Sequence, residues 1–101
     1  MADYTVLTQD EQDDIIVGFM QAQEREAYCH EINIDRYNNM IASLKDGEFK
    51  TRCKGLLAET QSRLTEVQTI IAATTPQLPS TERITASVAR LKAKESTIKT
   101  T

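Results

Sequence analysis

The sequence predicts an all-α protein: a long antiparallel helical hairpin followed by a shorter third helix, together a coiled-coil-like three-helix bundle. Three observations carry that expectation. Apolar residues recur at heptad spacing through two long stretches, the pattern of helices that each bury one stripe. Helix breakers are few, three glycines and two prolines in 101 residues, and the turn-forming Asp46-Gly47 and Pro76 stand between the periodic stretches. Charged residues make up 27% of the chain and aromatics 5%, with no Trp, so the core is thin, as suits long helices better than a turn-rich β fold. A chain of this length makes one domain, 1–101, buried over roughly two-thirds of its unfolded surface. It divides into an N-terminal arm over 1–8 and helices over 9–45, 48–75 and 80–99.

The arm, "MADYTVLT", alternates Tyr4 and Val6 against Thr5 and could add to a partner as an extended strand. The first helix begins where Thr8 and Glu11 match a capping box, and Asp10, Glu11, Asp13 and Asp14 load its first turns with the negative charge a helix dipole favours. Stepping by four and three from Ile16 gives Met20, Gln23, Ala27, His30, Ile34, Tyr37, Ile41 and Leu44, an unbroken seam. Six of those nine positions are apolar and Tyr37 is compatible; Gln23 and His30 make it polar at two places. Gly18 and "NIDRYNN" weaken the helix by propensity, so a break between residues 33 and 39 is its main risk. Asp46-Gly47 ends it, with Gly47 suited to a left-handed C-cap.

The second helix repeats the pattern in Cys53, Leu57, Thr60, Leu64, Val67, Ile71 and Thr74, with Phe49, Leu56 and Ile70 widening the stripe. "TTPQLP" stops it, because Pro76 cannot continue a helix and restricts Thr75 before it. Ser80 caps the third helix, which places Ile84, Val88, Leu91 and Ile98 on one face and frays through "STIKTT". The short turn makes the first two helices antiparallel, so that residues whose numbers add to about 93 face one another. The first helix, roughly 55 Å long, overhangs the second at roughly 40 Å. An overhanging amphipathic helix exposes its stripe unless another chain covers it.

Net charge is -3, but it is unevenly spread: residues 1–48 carry eleven carboxylates against Arg25, Arg36 and Lys45, a net of -8, and residues 49–101 a net of +5. That asymmetry fits one half folded on the other, one chain packed on the next, or simply two solvated faces that differ in charge. Overall acidity argues against attraction to nucleic acid or anionic lipid. The N-terminal residues are acidic where a secretory signal is basic, two cysteines are too few for a disulfide framework, and the longest apolar run is "IIV". A cytoplasmic location is the expectation.

Chemistry is scarce. "AYCHEIN" brings Cys29, His30 and Glu31 together, but successive helix residues diverge by about 100°, and a metal needs convergent ligands. His30 falls on the seam, while Cys29 and Glu31 point away from it. Cys29 and Cys53 are offset by roughly 16 Å along the hairpin, too far for a disulfide. A polar His30 layer in a symmetric bundle would loosen on protonation below about pH 6.5. With one His there is no nucleophile–base pair, and neither a phosphate loop nor a calcium loop is present. No catalytic, cofactor-binding or metal residues are expected, and no small-molecule substrate. Arg83, Arg90, Lys92, Lys94 and Lys99 form a basic patch without aromatics to stack bases, better read as a solvated face or a partner for the acidic first helix than as a nucleic-acid surface.

The expected function is that of a structural, non-enzymatic protein. It would be a small helical subunit or adaptor that oligomerises or docks into a multi-protein assembly through its heptad seams. The interface residues would be Ile16, Met20, Gln23, Ala27, His30, Ile34, Tyr37, Ile41 and Leu44, or the same residues could instead be the domain's own core. Small accessory proteins of virus and phage particles have this general composition, so a virion component is one form such an assembly could take, by analogy alone. The alternative is a monomeric helical binding module that captures a partner helix or nucleic acid through its basic C-terminal helix.

Overall fold

The structure, a computed structural model, describes residues 6–100, with side chains described over 6–95. Most of the expected arm, Tyr4 and Thr5 included, lies outside the described residues, as do the side chains of Ile98 and Lys99. The fold is all-α. Three α-helices follow in order, α1 (Gln9–Ser43), α2 (Glu48–Thr74) and α3 (Thr81–Thr100), with a 3-10 turn, Thr75–Gln77, ahead of α3. No strand occurs among the described residues.

The helix ends follow from local chemistry. At the start of α1 the capping box closes in both directions: Thr8 N–H donates to Glu11 Oε1 at 3.0 Å, and Glu11 N–H donates to Thr8 Oγ1 at 3.1 Å. The low-propensity stretch over 33–39 stays helical, since Ile34, Tyr37 and Ile41 pack there and packing outweighs propensity. The last turn of α1 tightens as Leu44 N–H reaches the Ile41 carbonyl at 3.3 Å, while Ser43 Oγ donates to the Met40 carbonyl at 2.9 Å. Gly47 is not a left-handed C-cap, for no described residue has a positive φ. It serves the next helix instead, its carbonyl accepting Thr51 N–H at 3.1 Å as the first bond of α2. After α2, Pro76 sits in the 3-10 turn, and Leu78 N–H closes on the Thr75 carbonyl at 3.2 Å. Ser80 caps α3, its carbonyl accepting Ile84 N–H at 2.9 Å and its hydroxyl accepting Arg83 N–H at 3.4 Å.

Contacts divide the chain into two compact units, one of Met1–Ala22 with Thr74–Thr101 and one of Gln23–Ala73. The second unit is the hairpin of α2 with the later part of α1. Cys53 Sγ donates to Met40 Sδ at 3.7 Å, a pair whose numbers add to 93, so the helices run antiparallel in the expected register. Ala27, Cys53 and Val67 are buried there, flanked by half-buried Ile34, Ile41, Leu57 and Leu64. In the first unit α3 lies parallel to the start of α1, because Asp13 meets Arg83, Asp14 meets Ser87, and Gly18 faces Leu91 in the same order. Val17 and Met20 are buried in that unit beside two polar residues, Asp13 and Ser87.

Candidate functional site: a polar lock on α3 and an outward face on α2

The nine expected seam residues are all buried or half-buried in the chain's own packing. Ile16 and Met20 lie in the first unit and Gln23, Ala27, His30, Ile34, Tyr37, Ile41 and Leu44 in the second. His30 is half-buried with Nε2 3.4 Å from Glu26 Oε1 on the same helix, while Cys29 and Glu31 are exposed on either side of it. Both cysteines are free, Cys29 at the surface and Cys53 in the core. Among the described residues no three His, Cys, Asp or Glu side chains converge as a metal site would require.

The basic patch is split between two roles. Arg83 and Arg90 turn onto α1, whereas Lys92 and Lys94 are exposed; the Lys99 side chain lies outside the described residues. Arg83 grips Asp13 as a fork, Nη2 donating to Oδ1 at 2.6 Å and Nε to Oδ2 at 2.9 Å. Gln9 Nε2 donates to the same carboxylate at 2.9 Å. Four residues on, Ser87 Oγ donates to Asp14 Oδ1 at 2.6 Å and Arg90 Nη2 to that oxygen at 2.8 Å, with Arg90 Nη1 3.7 Å from Asp10 Oδ2. No buried side-chain nitrogen or oxygen is left without a partner among the described residues, which is the condition for tolerating a buried polar cluster.

These contacts set the titration of the cluster. The Arg83 guanidinium hydrogen-bonded to Asp13 holds that carboxyl below the usual range, and Arg90, then Ser87, do the same for Asp14. Both guanidiniums are raised in turn, each chiefly by its aspartate. The bond from Thr8 N–H lowers Glu11 similarly.

A second feature faces outward. Phe49, Leu56 and Ile70 are 60%, 45% and 39% exposed, and with Arg63 they form one heptad column of α2 away from its seam. Beside that column run Arg52 and Glu59, then Glu48, Gly55 and Ser62, all exposed. Glu48 pairs with Arg52 at 3.3 Å and Glu59 with Arg63 at 2.9 Å, both within the helix. Exposed pairs of this spacing contribute only about 0.3–0.5 kcal/mol. A shallow depression of about 410 Å3 lined by Glu48, Phe49 and Arg52 lies on the face, and another of about 490 Å3, lined by Glu59, Ser62, Arg63, Glu66 and Val67 with Glu26 of α1, opens from its edge towards the hairpin seam. Gly55 stands inside α2 with no positive φ, and a Cβ there would meet nothing within 4 Å. A glycine in a helix interior costs about 0.5–1 kcal/mol relative to alanine, and neither conformation nor packing within this chain requires it.

Sequence reasoning had the stripe of Phe49, Leu56 and Ile70 as a widening of the seam and the aspartates as helix-dipole charges. Gly55, a glycine midway along a strongly periodic helix, is a readable signal that the apolar spacing alone does not use. The acidic-against-basic split of the two halves was the signal for the lock. Compared with protein-family models, curated proteins and solved structures, the chain matches none.

Proposed function

We propose that the protein is a non-enzymatic helical assembly subunit that docks onto protein partners through the outward face of α2. The observation that supports this reading is the column of Phe49, Leu56 and Ile70, large apolar side chains left in solvent while the heptad seam is used up inside the chain. Scattered exposed apolar residues need no explanation, but a column of them along one helix is the usual mark of a contact surface. The reading shifts the interface from the seam residues to the neighbouring column. The alternative, a binding module acting through the basic end, has less support, because Arg83 and Arg90 already neutralise Asp13 and Asp14.

No helix among the described residues is long and apolar enough to cross a membrane. Absolute molar mass by light scattering tests the proposal. The wild-type chain should be a multimer at pH 7.5, and Leu56→Glu, a change at an exposed position, should reduce it to a monomer of unchanged helicity. A wild-type monomer over the whole concentration range overturns self-assembly. The basic end would then be tried against DNA, where true binding weakens steeply with salt.

A further inference from the structure

We infer that the partner on this face is a second copy of the chain, with α2 packed antiparallel on its own counterpart about a two-fold axis at Gly55 and Leu56. The inference rests on the assembly reading above and names the partner for it.

When two copies of one helix pair antiparallel about a two-fold axis, residues of one column meet where their numbers add to a constant. Three columns make the outward face: Phe49, Leu56, Arg63 and Ile70 on one side, Arg52, Glu59 and Glu66 in the middle, Glu48, Gly55 and Ser62 on the other. With a sum of about 111, Arg52 faces Glu59 of the second copy and the reciprocal pair forms by symmetry. Moving the register by one heptad in one direction sets Arg52 against itself, and in the other sets Glu59 against itself while pairing Arg52 with Glu66. Like charges facing each other at the axis oppose association, so the sum near 111 is the register that forms both Arg52–Glu59 pairs with no like-charge contact between the two α2 helices in that column.

The same register accounts for the other features of the face. Leu56 meets Leu56 of the second copy near the axis, and Gly55 meets Gly55, which explains a helix-interior glycine whose missing Cβ leaves open space. Phe49 lies against Arg63 of the second copy. Flat guanidinium on aromatic ring is a favourable contact. The intrahelical pairs Glu48–Arg52 and Glu59–Arg63 then merge across the axis into two four-charge networks, which hold more firmly than isolated exposed pairs. Ile70 falls outside the stretch these pairs cover.

A charge exchange tests the register. Light scattering should find the wild type dimeric and both Arg52→Glu and Glu59→Arg monomeric, with dimer affinity at least tenfold weaker for each. Mixing the two variants should restore a dimer with one chain of each, since both opposed pairs become Glu with Arg. Circular dichroism confirms that each variant keeps its helix content. A mixture that stays monomeric, or single variants that remain dimeric, overturns the register. If Leu56→Glu breaks the wild-type multimer and the charge variants do not, the assembly reading stands and this pairing falls; a monomeric wild type overturns the self-pairing outright. As a second readout, Gly55→Cys in a Cys29→Ser background should oxidise to a covalent dimer, whereas Lys92→Cys in that background should not.

Discussion

Gly18 and Gly55 are the same residue type in the interiors of helices, yet their surroundings give them different meanings. A Cβ on Gly18 would meet Leu91 Cδ1 at 3.7 Å, an ordinary contact, so the position has room for a methyl group. Gly18→Ala should therefore stabilise the protein by about 0.5–1 kcal/mol, the usual gain from removing a helix-interior glycine. Urea unfolding followed by circular dichroism measures it, and a loss of stability would mean that Leu91 cannot give way. At this scale the sequence was a good guide to caps and a poor one to glycines. Thr8 and Glu11 form their box because both ends of the motif lie within one turn, so nothing distant can override them. Gly47 was misjudged because a glycine between two helices can serve either, and the Thr51 N–H claimed its carbonyl for α2.

At the scale of the helix, periodicity carried the inference well. The seam positions Cys53, Leu57, Thr60, Leu64, Val67 and Ile71 are each buried or half-buried, because a turn as short as that between α1 and α2 leaves an antiparallel return as the simple path. Register followed from the same turn, and the contact of Met40 with Cys53 agrees with it. Where α1 meets α3, periodicity did not suffice. Asp13 and Asp14 had an adequate local explanation as dipole charges, so nothing in their spacing demanded Arg83 and Arg90 from about 70–76 residues away. The packing of the hairpin makes a further prediction. Val67 is buried between the helices, and Val67→Ala should cost about 2 kcal/mol, from two lost methyl groups at about 0.8 kcal/mol each plus the cavity left behind. A cost under half a kcal/mol, measured by urea denaturation, would show that the hairpin core closes over the gap.

Across the whole molecule the two units are held by different forces, and pH should tell them apart. The hairpin buries Ala27, Cys53 and Val67, none of which changes charge in acid. The other unit buries Asp13 at 3% exposure and ties Asp14 to Arg90 and Ser87, with Val17 and Met20 as its buried apolar residues. Both carboxyls sit below their ordinary value in the folded chain. In the unfolded chain they titrate near pH 3.9. The unfolded state therefore takes up protons first as pH falls. The stabilisation is complete well above the ordinary value and is lost progressively through it, down to the depressed folded value. Asp13 is faced by Gln9 and Arg83 with Arg90 nearby, and Asp14 by Arg90, Ser87 and Lys94, with Asp10 and Glu11 on its own helix. Every cation in that set keeps its charge at low pH, so protonating the aspartates leaves Arg83 and Arg90 without their charged partners. Hydrogen exchange, corrected for its intrinsic pH dependence, should show amides from Ser87 to Lys94 losing protection between pH 5 and pH 3 while those from Lys54 to Val67 keep theirs. In the double variant Asp13→Asn, Asp14→Asn, protection of α3 should already be weak at pH 7 and change little in acid. Equal loss along the whole chain would instead mean that acid acts through general charge repulsion, and that the two aspartates do not hold α3 in place.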